Sequence, residues 1–179
     1  MRRCARTGLA AVIVSIVLVL VGAPQAVSPA RAASTYRIFT PIATAPPPFW
    51  STPELQAVDL INQHRRANGC APAQLSYELS VAAKNHSRDM AEHNYFSHTG
   101  RNGSTFGDRA RAAGYPYWPS GEIIAAGYAS AQDVVNGWIN SSGHRAIILD
   151  CNNDDIGIGL HVHAGSQWQY YWTGVFGQR

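Results

Sequence analysis

Residues 156–163 read Ile-Gly-Ile-Gly-Leu-His-Val-His. The even-numbered positions are aliphatic and the odd-numbered positions are glycine or histidine, which is the two-residue period of a β-strand with one buried face. Residues 164–167, Ala-Gly-Ser-Gln, are typical of a turn, and the run from Trp168 to Phe176 is rich in aromatic and β-branched residues that suit a second strand. This part of the chain therefore predicts a β-hairpin.

The chain before this hairpin has the period of helices. Thr52-Pro53-Glu54 is a helix start, with a hydroxyl cap, a proline in the first turn and an acid near the positive end, and Asn68-Gly69 stops the run. Further helices are predicted over 77–93, 104–113 and from about 130 to 138. Helices first and a hairpin last predict an α+β fold with helices packed on an antiparallel sheet.

The second predicted helix carries a histidine on its apolar face. His86 lies at helical spacing from Leu79, Ala83 and Met90. We interpret it as a core histidine with one satisfied nitrogen rather than as a ligand.

The N-terminus has the pattern of a secretory signal peptide over residues 1–32. A basic start is followed by an apolar run from Leu9 to Val21 and by the small-x-small site Ala30-Arg31-Ala32. The run is shorter than the roughly 20 residues of a spanning helix, so cleavage is favoured over a retained membrane anchor. Residues 33–51 are proline-bearing and predict an extended spacer, and residues 52–179 are long enough for one domain. We expect a secreted, extracellular protein without a stable membrane span.

Cleavage changes the charge of the chain. The whole sequence has 14 Lys+Arg against 11 Asp+Glu, and the signal peptide removes four arginines and no acid, which leaves ten against eleven. The mature chain has no basic run and no interleaving of basic and aromatic residues, so nucleic acid is not an expected partner.

Cysteine usage agrees with export. Cys4 leaves with the signal peptide, and Cys70 and Cys151 remain. An oxidising compartment permits a disulfide between them, closing a loop of about 80 residues. The alternative is a pair of buried free thiols.

Three titratable residues lie beside glycines at the predicted ends of elements: His98, Glu122 and His144. His144 follows the break Ser141-Ser142-Gly143 after the helix that reaches Trp138. Two neutral imidazoles and a carboxylate can supply zinc ligands, or can act as an acid–base group. The alternative is three structural residues that bind loop backbones, and spacings of 24 and 22 residues match no local metal motif.

Other chemistry is poorly supported. Gly-x-Ser-x-Gly, a Walker-type loop, His-Glu-x-x-His and paired Cys-x-x-Cys are absent from the sequence. His161 and His163 share one face of a strand, where a His-x-His pair is more often exposed surface than a metal site. The loop 115–119, Tyr-Pro-Tyr-Trp-Pro, either walls a groove or packs against its own domain.

Residues 55–177 resemble the bacterial branch of the CAP superfamily, the cysteine-rich secretory, antigen 5 and pathogenesis-related 1 domain. The matching stretches occur in the family's order over nearly the whole mature domain: Leu60–Arg65, Met90–His98, Asp108–Ala110, Ala113–Tyr115, Gly121-Glu122, Trp138–Arg145, Ile156–Gly159 and Tyr171–Gly177. The resemblance implies a three-layer α-β-α sandwich with a central, mainly antiparallel sheet.

The resemblance also implies a surface cleft that contains His98, Glu122 and His144, with the two histidines as metal ligands in some relatives. Eukaryotic relatives add a glutamate from the helix before the second histidine, where this chain has Asn136 and Asn140; Asp155 is a possible substitute. Ile123 also replaces the asparagine of the usual Gly-Glu-Asn. The Cys70–Cys151 pair looks like the bridge of secreted actinobacterial members.

Three functions follow as expectations. The first is a secreted, monomeric binding protein whose cleft takes a divalent metal such as Zn²⁺, or a small polar or lipidic ligand. The second is a metal-assisted or acid–base hydrolase acting on cell-wall or other extracellular substrates, with Glu122 as the base. The third is a host- or surface-interaction module whose functional face is the loop 115–119.

Overall fold

The structure, a computed structural model, describes residues 49–179. The predicted signal peptide and residues 33–48 of the predicted spacer lie outside this range. In chain order the elements are α1 (Thr52–Ala67), β1 (Gln74–Leu75), α2 (Tyr77–Glu92), α3 (Phe106–Ala112), β2 (Trp118–Ala126), α4 (Ala131–Asn140), α5 (Ser142–Ile148), β3 (Asp155–Val162) and β4 (Tyr170–Gln178). Within residues 49–179, none of the helices combines the length and the apolar character that a bilayer span requires.

The strands form one sheet in the order β1-β3-β4-β2. The hairpin predicted from the alternating pattern is the antiparallel pair β3–β4, and β2 pairs antiparallel with the other side of β4. The short β1 is parallel to β3. The sequence analysis missed β2, since it treated residues 115–119 as a loop, whereas Trp118 and Pro119 already belong to the strand.

Helices cover both faces of the sheet, which confirms the three-layer α+β prediction. On one face α1 and α4 enclose the main core with Ile123, Ile156 and Trp172, all of which are fully buried. On the other face α2 and α3 pack on Val175 and Tyr171. Alternation along each strand therefore sends successive side chains to two different cores.

The glycines of the 156–163 stretch explain how closely α2 approaches the sheet. Gly157 and Gly159 face α2, and a Cβ atom at Gly157 would lie 2.1 Å from the carbonyl carbon of Leu79 and 2.4 Å from the backbone nitrogen of Ser80. The helix backbone rests directly on β3 at these positions. The glycines that mark the alternating pattern are thus a packing surface for α2.

The loop that enters β3 is held by a buried arginine and by a disulfide. The guanidinium of Arg65, from α1, donates to the carbonyl oxygens of Ile148, Asp150 and Asn153 at 2.8, 2.9 and 2.6 Å. Cys70 and Cys151 form a disulfide, as predicted. Both connections tie the end of α1 to the same loop.

His86 occupies the middle of α2 and is 1 % exposed. Its Nε2 lies 2.9 Å from the carbonyl oxygen of Ser97, and its buried Nδ1 has no partner among the described residues. The prediction of a core histidine with one satisfied nitrogen is confirmed. Burial, the largest influence, lowers the pKa of His86 below the usual 6.5, although Glu122 opposes that shift.

We expect Gly157→Ala to lower the free energy of unfolding by about 3 kcal/mol, because the added methyl group meets helix backbone that cannot rotate away. Gly143→Ala is the control, since nothing lies within 4 Å of a Cβ at that position. Urea denaturation measures both changes. Equal stability of the two variants would contradict the close approach of α2 to β3.

The buried imidazole of His86 makes stability depend on pH. Because its pKa is lowered in the folded state, the unfolded chain takes up a proton first as the pH falls below about 6.5. The stabilising contribution is therefore present above pH 6.5 and is lost as the pH falls towards the folded-state pKa, by at most about 1.4 kcal/mol per pH unit. We expect the wild type to lose more stability between about pH 7.5 and 5.5 than His86→Gln does, as measured by urea unfolding. Parallel pH profiles of the two proteins would contradict this assignment.

Candidate functional site

Glu122 is the centre of the candidate site. It lies on β2 and faces the α2–α3 side of the sheet, where its side chain is 1 % exposed. Its Oε1 accepts a hydrogen bond from Nδ1 of His98 at 2.8 Å, and its Oε2 accepts one from the guanidinium of Arg109 at 2.7 Å. Both carboxylate oxygens are therefore occupied. This arrangement suits Glu122 to orient an imidazole rather than to remove a proton from a substrate.

Arg109 is a site residue that the sequence analysis did not single out. It comes from α3, whose N-terminus is capped by Thr105 in a capping box with Asp108. Besides pairing with Glu122, its guanidinium donates to the carbonyl oxygens of His98 at 3.0 Å and Ser104 at 2.8 Å. Glu122 lies within the apolar run Gly121–Ala126, and a carboxylate buried in such a run requires a cationic partner. This requirement is the one sequence signal that could have pointed to an arginine such as Arg109.

His98 presents one ring nitrogen to solvent. A carboxylate accepts hydrogen bonds, so Nδ1 of His98 carries the proton that is shared with Glu122. In the neutral ring Nε2 then has a free lone pair, and 55 % of the side chain is exposed. The ring is thus fixed at one nitrogen and open at the other, as an imidazole ligand or base requires.

His144 reaches the same region from a helix of its own. The sequence analysis placed it just after a break, but the break is confined to Ser141, and His144 lies in the first turn of α5. Gly121 on β2 allows α5 to approach, because a Cβ there would lie 2.9 Å from Cγ2 of Ile147. Burial, the largest influence, lowers the pKa of His144, and protonation of the nearby His98 would lower it further. His144 is therefore neutral at pH 7 and lies near His98.

A groove of about 440 Å³ extends from His144. Its walls are mainly apolar and aromatic, with Phe96, Trp168, Tyr128 and Trp138 among them, and Ser141 adds a hydroxyl. The rings of Phe96 and Trp168 lie 5.7 Å apart, and Phe96 is 42 % exposed. The groove has the size and the apolar lining of a small-molecule site, with polar groups confined to a few positions.

Asp155 lies outside the cleft, which corrects its suggested role as the second acid. It pairs with Gly177 on β4, two positions further along that strand than the partner of Glu122. Its carboxylate is bound by the hydroxyl of Tyr115 at 2.8 Å and by the guanidinium of Arg179 at 2.6 Å. Asp155 therefore belongs to a separate ion pair near β1.

The arrangement of ligands limits what metal could bind. Among residues 49–179, no group of three or more His, Cys, Asp or Glu side chains is placed to hold a metal ion. Glu122 is unsuitable as a third ligand because His98 and Arg109 already bind its oxygens. The two imidazoles are of the ligand type that suits Zn²⁺. A histidine that binds zinc through one nitrogen commonly donates its other N–H to a carboxylate, as His98 does to Glu122.

The His161–His163 pair has other contacts. Nδ1 of His163 lies 3.1 Å from the carbonyl oxygen of Ala91, and burial, the largest influence, lowers the pKa of His161. His163 is exposed and His161 is partly exposed, which agrees with the interpretation of the pair as protein surface.

We expect Arg109→Leu to lower the free energy of unfolding by about 3 kcal/mol, because it leaves the Glu122 carboxylate buried without its cation. The double variant Arg109→Leu/Glu122→Gln removes that charge and should recover part of the loss. A double-mutant cycle by urea denaturation measures the coupling. Additive effects of the two changes would show that the pair does not interact.

Comparison with known proteins places this geometry in a family. The family model described as "Cysteine-rich secretory protein family", CAP, matches residues 58–176. The uncharacterized protein YkwD of Bacillus subtilis (strain 168) is 39% identical over 132 residues, covering 73% of this chain and 51% of YkwD. The uncharacterized membrane protein YlbC of the same organism is 34% identical over 110 residues, covering 62% of this chain and 32% of YlbC. The chain thus spans about half or less of the length of these relatives.

Solved structures agree with the sequence relatives. The structure of an extracellular protein containing a SCP domain from Bacillus anthracis str. Ames has a TM-score of 0.63 at 29% identity, covering 70% of this chain and 40% of that one. An outer surface protein from Borrelia burgdorferi shares the fold with a TM-score of 0.62 at 23% identity, covering 68% of this chain and 89% of that one. The chain belongs to the cysteine-rich secretory protein (CAP) family.

Proposed function

We propose that this CAP-domain protein is secreted and that its cleft binds a divalent metal ion through the imidazoles of His98 and His144. The observation that carries the proposal is the hydrogen bond from Nδ1 of His98 to the buried Glu122, which leaves Nε2 exposed beside a second, neutral imidazole. Zn²⁺ fits this donor set, since neutral imidazole is one of its common ligands.

The protonation states support binding at neutral pH. A metal ion competes with protons for imidazole, so a histidine that is already neutral binds without a proton being displaced. The lowered pKa of His144 provides this state, and the fixed proton on Nδ1 of His98 directs the free lone pair to Nε2. Glu122 and Arg109 act as the outer contacts that hold the His98 ring.

Two protein ligands leave coordination positions for another molecule. Zn²⁺ is usually four-coordinate, so water or a ligand group completes its sphere. The groove beside His144 can hold the apolar part of a small polar or lipidic ligand, since Phe96 and Trp168 expose their rings there. We therefore favour binding over catalysis as the primary role.

Calorimetric titration of the secreted protein with Zn²⁺ tests the proposal. We expect the heat of binding to be lost in His98→Ala/His144→Ala and retained in the matched control His161→Ala/His163→Ala. Retention of the heat in the cleft variant would exclude the proposed metal site. Loss of the heat of Zn²⁺ binding in the control variant alone would show that the metal binds at His161 and His163, at the end of β3, and not in the cleft.

A hydrolase would use the same residues in different roles. Because the oxygens of Glu122 are occupied, Nε2 of His98 would be the general base and Glu122 would orient its ring. A metal-bound water or a hydroxyl-bearing substrate would have to meet that nitrogen. The one observation that favours this second function is the hydrogen-bonded pair of Glu122 and His98.

The exposed aromatic residues at the start of β2 favour a third role, in protein interaction. Tyr117 is 50 % exposed and Trp118 is 64 % exposed, with the guanidinium groups of Arg179 and Arg111 near their rings. If this surface is functional, Tyr117→Ala/Trp118→Ala should weaken binding to a host or surface partner by about tenfold or more, since buried aromatic residues carry much of an interface's energy. A pull-down with the cleft double variant as control separates this role from that of the cleft.

A further inference from the structure

We propose that His86 is a positioning residue for His98, and this inference rests on the proposed function of the cleft. Within residues 49–179, His86 makes no hydrogen bond to His98, Glu122 or His144. It acts through the peptide group immediately before His98, whose carbonyl oxygen, that of Ser97, lies 2.9 Å from Nε2 of His86.

The hydrogen bond fixes the chemical state of His86. A carbonyl oxygen only accepts hydrogen bonds, so Nε2 of His86 carries the proton and Nδ1 holds a lone pair. That Nδ1 is buried and has no partner within residues 49–179. A residue retained only to fill space between α2 and the loop would not need a ring with one unpaired nitrogen. The contact to Ser97 is the one polar interaction that the His86 ring makes within the described residues.

The backbone and ring of His98 are held from three separate elements. His86 on α2 binds the carbonyl oxygen before His98, Arg109 on α3 binds the carbonyl oxygen of His98 itself at 3.0 Å, and Glu122 on β2 binds its ring. More than half of the His98 side chain is exposed. These three contacts therefore hold a loop residue that packing alone does not fix.

Removal of one contact should loosen the other two. Without the donor at residue 86, the Ser97 carbonyl loses the bond that sets the peptide before His98, and that peptide can rotate. The Nδ1–H of His98 is then no longer aligned for its hydrogen bond to Oε1 of Glu122. Since α2 is seated on Gly157 and Gly159, its own position should change little. The effect should therefore appear at the His98 ring.

Two variants separate positioning from packing. His86→Leu keeps an apolar side chain in the core but has no donor, whereas His86→Gln keeps an N–H group that can reach the Ser97 carbonyl. His64→Leu is the matched control, because His64 lies in the last turn of α1 and its ring makes no hydrogen bond to residues 94–105. The readouts are the imidazole ¹⁵N signals of His98 by NMR, the Zn²⁺ affinity and the melting temperature. If His86→Leu does not fold, His86→Met replaces it, since methionine adapts to irregular cores.

We expect His86→Leu to shift and broaden the His98 signals and to weaken Zn²⁺ binding by about tenfold, the lower end of the effect of losing an outer contact of a metal ligand. Relative to His86→Leu, His86→Gln should recover most of the wild-type His98 signals and of the Zn²⁺ affinity, whereas His64→Leu should leave both at their wild-type values. A folded His86→Leu with wild-type His98 signals would overturn the inference, as would His86→Gln that behaves like His86→Leu. If the wild type binds no Zn²⁺, the proposed function fails, while the His98 signals still decide the role of His86.

Discussion

The carboxylate of Glu122 is the group on which the site depends. It is buried between the sheet and the layer of α2 and α3, and a buried carboxylate is stable only when it is paired and hydrogen-bonded. Arg109 supplies the charge and His98 supplies a second donor. The requirement to satisfy one buried group thus brings together α3, the loop after α2, and β2. The same contacts leave one nitrogen of His98 free.

The layers of the fold supply the rigid frame for this pairing. Glycines on β3 let the backbone of α2 rest on the sheet, and Gly121 on β2 lets α5 approach from the other side. The loop with His98 is therefore held between a fixed helix and a fixed strand, and His144 is delivered beside it. Larger residues at these glycines would collide with the backbone of α2 or with Ile147 of α5.

Part of this architecture could be predicted from the sequence because it is local. The two-residue period of 156–163 predicts β3, and the helix start predicted at Thr52 lies one residue from the actual cap, Ser51. The strand β2 was missed because its proline and its apolar run hide the period, and its register is set by β4.

The site depends on contacts that local patterns do not contain. Resemblance to the family supplied His98, Glu122 and His144, which spacing alone does not join. The pairing of Arg109 with Glu122 and the separate ion pair of Asp155 depend on which side chains meet across elements.

The most direct test of the account is a crystal structure of the protein soaked with Zn²⁺, with anomalous diffraction measured at the zinc absorption edge. The account predicts an anomalous peak in contact with Nε2 of His98 and with the ring of His144, and a Glu122 carboxylate that still binds His98 and Arg109. A peak confined to other histidines, or zinc bound directly to Glu122 with Arg109 displaced, would contradict it.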